Sequence, residues 1–265
     1  MKSFTRRSFI FTPPLKEGMF EKALRSGADI VCLELEDGIS PLDKKTARKN
    51  VINIINNLSD DISKTTEKII RINSPREING LEDLYAILTA KKKPDGIMIP
   101  KVNNEQEVLL LDKLFGEKKI ITNFHIIIET NEGLENSYKI ANCCKRVKAL
   151  FFGGVDMSAE LRCNNEWEPL LYARSRVVHA AASAGIEAID VPFLDLKNMT
   201  GMKKEAIKSR DMGFSGKGAV HPKQISLINE IFTPTQKNIR KARKIINAFE
   251  KSKSGVIVLD NKLIE

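Results

Sequence analysis

Short apolar runs alternate with amphipathic stretches along almost the whole chain, and this rhythm restricts the fold more than any other feature. The apolar runs predict strands at Ser8–Pro13, Ile30–Glu36, Lys68–Ile72, Gly96–Pro100, Phe124–Glu129, Val147–Phe152, Glu187–Val191 and Gly218–Val220. Helical spacing follows each of them. The expected helices are Gly18–Ser26, Ser40 to about Leu58, Gly80–Leu88, Asn104–Leu114, Gly133–Ala141, Pro169–Ser183, Lys203–Met212, Lys223–Ile231 and Thr235–Ser252. A polar loop is expected between the sixth strand and Pro169. Ser40 reads as an N-cap, with Pro41 at the first helical position. The strands lack polar alternation, so both of their faces are covered. Eight such units fit a closed α/β barrel or a doubly wound open sheet. An open nucleotide-binding sheet wants a glycine-rich loop after its first strand. Here that segment reads FTPPLKEG, and no GxGxxG or GxxxxGK occurs. The unit count therefore favours the barrel.

A chain of 265 residues, 42% of them hydrophobic, suits one large domain with a sizeable core. We assign residues 1–252 to the barrel and 253–265 to a C-terminal tail. The tail, SGVIVLDNKLIE, reads as a short strand or hairpin that packs on the barrel or on a neighbouring subunit. No apolar run is long enough to span a bilayer, so no membrane association is expected. The opening MKSFTRRSFIFTPP has too short an apolar part for a signal peptide and leads into the first strand. Cys32, Cys143, Cys144 and Cys163 do not form a zinc or CxxC pattern. They read as free thiols in a reducing compartment, the cytoplasm. The net charge of +9 is scattered and accompanies no nucleic-acid-binding motif. It would instead attract a small anionic substrate or a phosphate-bearing cofactor.

In a barrel, the C-terminal ends of the strands converge on one face. The residues expected there are Arg7 and Thr12, Glu36 and Asp37, Arg71 and Asn73, Lys101, Glu129, Asp156 and His221. So many carboxylates cannot gather charged without a cation. Magnesium takes oxygen ligands and often uses only one or two protein carboxylates, and Glu129 and Asp156 are the first choice. Taken singly, each could equally be a solvated loop carboxylate. Arg71 offers a rigid donor fork for a substrate carboxylate or carbonyl, or an ion pair to Glu36 or Asp37. Gly153 and Gly154 allow close backbone approach, and N–H groups there could hold a carboxylate. Lys217, in GFSGKGAVHP, is placed for an anion. His125 begins a strand and points to the far end of the barrel. His179, Trp167 and Phe151–Phe152 read as packing residues.

These residues lie in segments that resemble the citrate lyase beta subunit-like CoA-ester lyases of the HpcH/HpaI aldolase superfamily. The shared marks are RRSFIFTPP, KALRSGADIVCLELEDGISPLDKKTAR, RIN, GIMIPKV, IIIETNEGLEN, ALFFGGVDMSAELR and FSGKGAVHPKQI. The resemblance runs almost end to end. It implies a TIM (β/α)8 barrel with a short C-terminal extension, assembled as a homotrimer or hexamer. It implies Mg²⁺ on Glu129 and Asp156, Arg71 at the substrate, and Glu36 and Asp37 as the paired acidic motif. Arg7, Gly154, Val155, Lys217 and Glu129 are expected to contact substrate or its CoA arm. Family members often carry a DGKMID-like element whose last aspartate reaches a neighbouring active site. Here it reads DNKLIE, which makes Glu265 the corresponding catalytic candidate.

The implied reaction is Mg²⁺-dependent cleavage of a 3-hydroxyacyl-CoA ester of citramalyl or malyl type to a 2-keto acid and acetyl-CoA. The alternatives are a citrate lyase beta subunit acting on an acyl-carrier thioester beside a transferase subunit, a malyl-CoA thioesterase, and an inactive family member.

Overall fold

The computed structural model describes residues 4–59, 65–252, 255–260 and 262–265. Eight parallel strands close in sequence order into a barrel. The chain runs β1 (Ser8–Thr12), α1 (Met19–Leu24), β2 (Ile30–Glu34), α2 (Lys44–Asn56), β3 (Glu67–Arg71), α3 (Ile78–Thr89), β4 (Gly96–Ile99) and α4 (Glu105–Glu117). It continues through β5 (Asn123–Ile128), α5 (Asn131–Glu135), α6 (Ser137–Asn142), β6 (Val147–Phe152), α7 (Gly154–Leu161), α8 (Leu171–Ala184) and β7 (Glu187–Asp190). The last elements are α9 (Met199–Met212), β8 (Gly216–Ala219), α10 (Ile225–Phe232), α11 (Gln236–Lys251), β9 (Ile257–Leu259) and β10 (Lys262–Ile264). Pairing of Phe9 with Gly218 and of Ile10 with Ala219 closes β1 on β8.

The period of two along each strand explains the unbroken apolar runs. Phe9, Ile30, Cys32, Ile69, Met98, Ile127, Phe151 and Ile189 point inward and fill the barrel. Their neighbours Ile10, Val31, Leu33, Ile70, Ile97, Ile126 and Leu150 point outward into the layer under the helices. Each such side chain, fully buried, contributes roughly 1.5–3 kcal/mol.

The N-terminal end of the barrel is plugged by polar groups. Glu67 accepts hydrogen bonds from Arg6 (2.6 and 3.1 Å), from the Asn123 amide (2.9 Å), and lies 3.1 Å from Nε2 of His125. Burial pushes the Glu67 pKa up, but His125 and Arg6 outweigh it and hold it below the usual carboxylate range. Gly216 admits the crossing chain here, because a Cβ would come within 2.1 Å of the Arg6 carbonyl oxygen.

Three local expectations need correction. Ser40 makes no capping hydrogen bond; a 3-10 turn at Pro41–Asp43 intervenes before α2. The helix expected over Gly133–Ala141 is two, α5 and α6, separated at Asn136. The loop expected after β6 begins with α7, whose glycine-rich start hides its helical spacing.

β9 and β10 form an antiparallel hairpin that packs on α11, itself without a buried residue. Val258 and Leu263 are each 71% exposed. Lys253 and Ser254, where the expected boundary of the tail falls, lie outside the described residues. All four cysteines are free. Among the described residues no helix is long and apolar enough to cross a membrane.

Candidate active site

The C-terminal mouth of the barrel holds a cavity of about 310 Å³. Its floor is apolar, built by Phe9, Phe11, Met98, Ile127 and Phe151. Its polar lining comes from Asp37, Arg71, Glu129 and Asp156, with Gly154 and Val155 at one edge. The polar residues thus meet from the ends of four strands, β2, β3, β5 and β6, as the barrel geometry requires.

Arg71 is the last residue of β3 and pairs in register with Glu34, the last of β2. Glu34 Oε2 accepts from Arg71 Nε at 2.7 Å and pairs with Nη2 at 2.6 Å. Glu36 Oε2 pairs with Nη1 at 3.0 Å. Of the guanidinium N–H donors, Nε is hydrogen-bonded, while the two terminal nitrogens are held by charge and keep donors for a ligand. The guanidinium also stacks on Phe11, 4.4 Å from the ring centroid. Burial works against the cation, but Glu34 and Glu36 outweigh it and raise its pKa. Arg71 is therefore a fixed charge, ion-paired with Glu36 as one expected reading had it, and it lines the cavity.

Glu34 was not singled out from the sequence, although a signal was present. It follows Cys32 by two, and so falls on the interior face of β2 as a charge among apolar residues. Lys101 was expected at the mouth but given no role. It has φ 55°, the left-handed region, costly for a non-glycine residue by roughly 1–2 kcal/mol. That backbone turn aims its N–H at Glu129 Oε1 (2.9 Å) while its ammonium reaches Glu36 (2.8 Å) and Asp37 (3.4 Å). Backbone strain at such a junction is characteristic of working sites.

Glu129 follows β5 and is 3% exposed. Burial, and then the nearby charges of Glu36 and Asp156, push its pKa up to about 8. Space for it depends on Gly153, where a Cβ would lie 2.5 Å from Glu129 Oε2. Asp156 sits in the first turn of α7, where the free N–H groups of a helix start favour negative charge. Glu36 is also raised, by burial, and pulled back by Arg71 and Lys101.

Glu34, Glu36, Asp37, Glu129 and Asp156 face two cations, Arg71 and Lys101. The excess negative charge and the raised Glu129 fit a divalent cation. Among the described residues no three His, Cys, Asp or Glu side chains are grouped to hold a metal. Two carboxylates with water and substrate oxygens are what magnesium commonly takes, and not what zinc takes.

Several expected participants lie elsewhere. Arg7 precedes β1 and stands at the opposite end of the barrel, paired with Asp29 through Nε (2.9 Å) and bonded to Thr233 (2.8 Å). Its assignment to the CoA arm is corrected: the strand follows this residue instead of preceding it. Lys217 is also corrected. It is wholly buried on the outward face of β8, bonded to Asp190 (2.6 Å), Glu205 (2.8 Å) and the Val191 carbonyl (2.7 Å). Burial pushes the Asp190 pKa up, but Lys217 and Arg174 outweigh it and keep the carboxyl low. Thr12 is buried and does not line the cavity. His221 Nδ1 accepts from the Lys223 N–H at 3.1 Å, a cap on the turn after β8. Glu265 ends the hairpin, exposed, and is not among the residues lining this chain's cavity.

A closed eight-stranded barrel with acids and an arginine at the C-terminal mouth defines the class, a TIM-barrel enzyme. Residues 7–222 match the model of the HpcH/HpaI aldolase/citrate lyase family. The chain belongs to that family and is a lyase. It is 30% identical over 276 residues to the citrate lyase subunit beta of Escherichia coli K12, covering all of this chain and 90% of the relative. It is 32% identical over 288 residues to the L-malyl-CoA/beta-methylmalyl-CoA lyase of Cereibacter sphaeroides, covering 98% and 90% of the two chains. A solved structure of the Mycobacterium tuberculosis protein CitE, in complex with magnesium, acetoacetate and coenzyme A, superposes with a TM-score of 0.80 at 22% identity. That likeness covers 98% of this chain and 93% of the other, and shows the fold.

Proposed function

We propose that this lyase cleaves the carbon–carbon bond of a 3-hydroxyacyl-CoA ester of citramalyl or malyl type, giving a 2-keto acid and acetyl-CoA, with Mg²⁺ held by Glu129 and Asp156. The observation that carries the reading is the pairing of these two acids across one cavity with Arg71. Support also comes from the malyl-CoA lyase relative and from the magnesium and coenzyme A bound by the tuberculosis protein.

When bound, magnesium supplies Lewis-acid polarisation of the substrate hydroxyl and chelation of the adjacent carboxylate. The chain's own groups do the rest. The first-turn N–H groups of α7, at Gly154 and Val155, orient the far oxygen of that carboxylate. Asp37 lines the cavity and is free to take the hydroxyl proton, whereas Glu36 stands behind it and fixes Arg71. As the hydroxyl becomes a keto group, the electron pair of the breaking bond passes to the thioester-bearing carbon as an enolate. The remaining N–H donors of Arg71 stabilise the charge on the thioester oxygen. A returned proton completes the acetyl group; Glu265 from a neighbouring copy is the family-type alternative donor. The apolar floor excludes water and favours this outcome over hydrolysis.

The same floor favours a keto acid carrying hydrogen or methyl over one with a second carboxylate. Arg71 and Lys101 are already occupied by protein acids, and an unpaired buried carboxylate is expensive. This ranks the CoA esters above a citryl thioester on a carrier protein.

Purified protein with Mg²⁺ and citramalyl-, malyl- or citryl-CoA, assayed separately for keto acid and free thiol, tests the proposal. Keto acid without thiol, abolished by EDTA, is expected. Thiol and keto acid together would point to hydrolysis coupled to cleavage, and thiol without keto acid would replace the lyase reading with a thioesterase. Turnover only of citryl thioester on a carrier would replace it with the citrate lyase subunit.

A further inference from the structure

The geometry points to Lys44 as a positioning residue that places Glu36, and through it Arg71, for the proposed lyase reaction on which this inference rests. Lys44 is the first residue of α2, where a cation opposes the helix dipole. The first turn holds no acid to offset it.

Its side chain reaches back over the β2–α2 loop. The ammonium donates to the carbonyls of Leu35 (2.8 Å) and Glu36 (2.6 Å) and to Asn73 Oδ1 (2.7 Å). Three acceptors use all three of its hydrogens. Asn73 in turn donates to the Leu35 carbonyl (2.8 Å) and to Asp83 (2.7 Å), and Asp83 accepts from Arg48 (2.6 Å). The chain Lys44–Asn73–Asp83–Arg48 thus ties the loop after β2 to the loop after β3 and anchors both in α2 and α3.

This anchor matters because of how Glu36 is held. Neither of its carboxylate oxygens has a hydrogen bond of good geometry; Arg71 and Lys101 hold it by charge. Charge attracts but does not aim. The direction of Glu36 is set by its backbone, whose N–H donates to Glu34 Oε1 (2.5 Å) and whose carbonyl accepts from the Ile39 N–H (2.9 Å) and from Lys44 (2.6 Å). Ile39 belongs to the same loop and moves with it; Lys44 ties that loop to α2, and without it Glu36 can rotate away from Nη1 of Arg71. Lys44 does not line the cavity and touches neither Glu129 nor Asp156. Its loss should therefore spare metal binding and impair positioning.

The test compares wild type, Lys44→Met, and Lys44→Cys before and after aminoethylation, which rebuilds an ammonium at lysine length. Wild type treated in the same way controls for the native thiols. On whichever ester wild type cleaves, kcat should fall in Lys44→Met by an order of 10²-fold, the scale of a 1 Å misplacement. KM and the Mg²⁺ dissociation constant should stay within about threefold. Aminoethylation of Lys44→Cys should restore most of the rate. Crystal structures of wild type and Lys44→Met give a readout independent of turnover: Glu36 should leave Arg71 and Lys101 in the variant. A Glu36 that keeps both contacts, or an unchanged kcat, overturns the inference. Absence of turnover by wild type on every ester would count against the lyase reading alone, and the structures would still decide the role of Lys44.

Discussion

Stripping the protein of divalent ions and raising the pH should destabilise it, and Glu129 sets the size of the effect. Burial, and then the charges of Glu36 and Asp156, push its pKa up to about 8 in the folded chain, against about 4.5 for an exposed glutamate. The folded state therefore holds a proton that the unfolded state has released across that window. The contribution is fully present below pH 4.5 and is lost as pH rises through 8, opposite in sign to a salt-bridged carboxylate. Integrated from pH 5 to pH 8, the loss is on the order of 3–4 kcal/mol for this one group. The assay is urea unfolding in EDTA at several pH values for wild type and Glu129→Gln. The variant carries a neutral isostere and should lack this slope, so it should be the more stable of the two at pH 8. Saturating Mg²⁺ should flatten the wild-type slope, because the cation replaces the proton. A wild-type stability that is level from pH 5 to pH 8, or that tracks the variant within about 1 kcal/mol, would refute the reasoning about this site.

Other substitutions separate the mouth of the barrel from its frame. Arg71→Ala should abolish most turnover by removing the cation proposed to face the thioester oxygen; steady-state kinetics on the preferred ester check it, and an unchanged kcat removes Arg71 from the mechanism. Lys217→Met should cost about 3 kcal/mol in urea unfolding, because Asp190 is left buried and under-compensated. Arg7→Ala should cost about 1 kcal/mol or less, since its pair with Asp29 is partly exposed. Both should leave KM for the CoA ester unchanged; a raised KM with normal stability would return either residue to the CoA site.

The order and number of strand–helix units were legible because every strand is buried on both faces and reads as an apolar run. Arg71, Asp37, Glu129, Gly154, Val155 and Asp156 were legible as mouth residues because each follows a strand. Arg7 was misplaced although the strand expected at Ser8–Pro13 already follows it: a residue that precedes its strand lies at the end of the barrel away from the mouth. Lys217 was misplaced because the strand was expected to begin at Gly218, which left Lys217 in a loop, while Gly216–Ala219 is the strand itself. Its alternation then turns Lys217 outward to Asp190. Lys44 left one faint local signal, a cation at a helix start, and none that names its partners. Its acceptors are two main-chain carbonyls and an amide contributed from a loop 29 positions away. Only closure of the barrel brings these together. α7 escaped notice because its spacing starts on a glycine pair.

The central claim is that Glu129 and Asp156 share a magnesium ion beside Arg71. A crystal structure of the protein grown with Mg²⁺ and pyruvate tests it most directly. The account predicts one ion bound by both carboxylates at about 2.0–2.1 Å, with the keto acid's oxygens completing its shell and its methyl group on the apolar floor. Glu129 and Asp156 turned away from any metal, or an ion held elsewhere in the mouth, would contradict it.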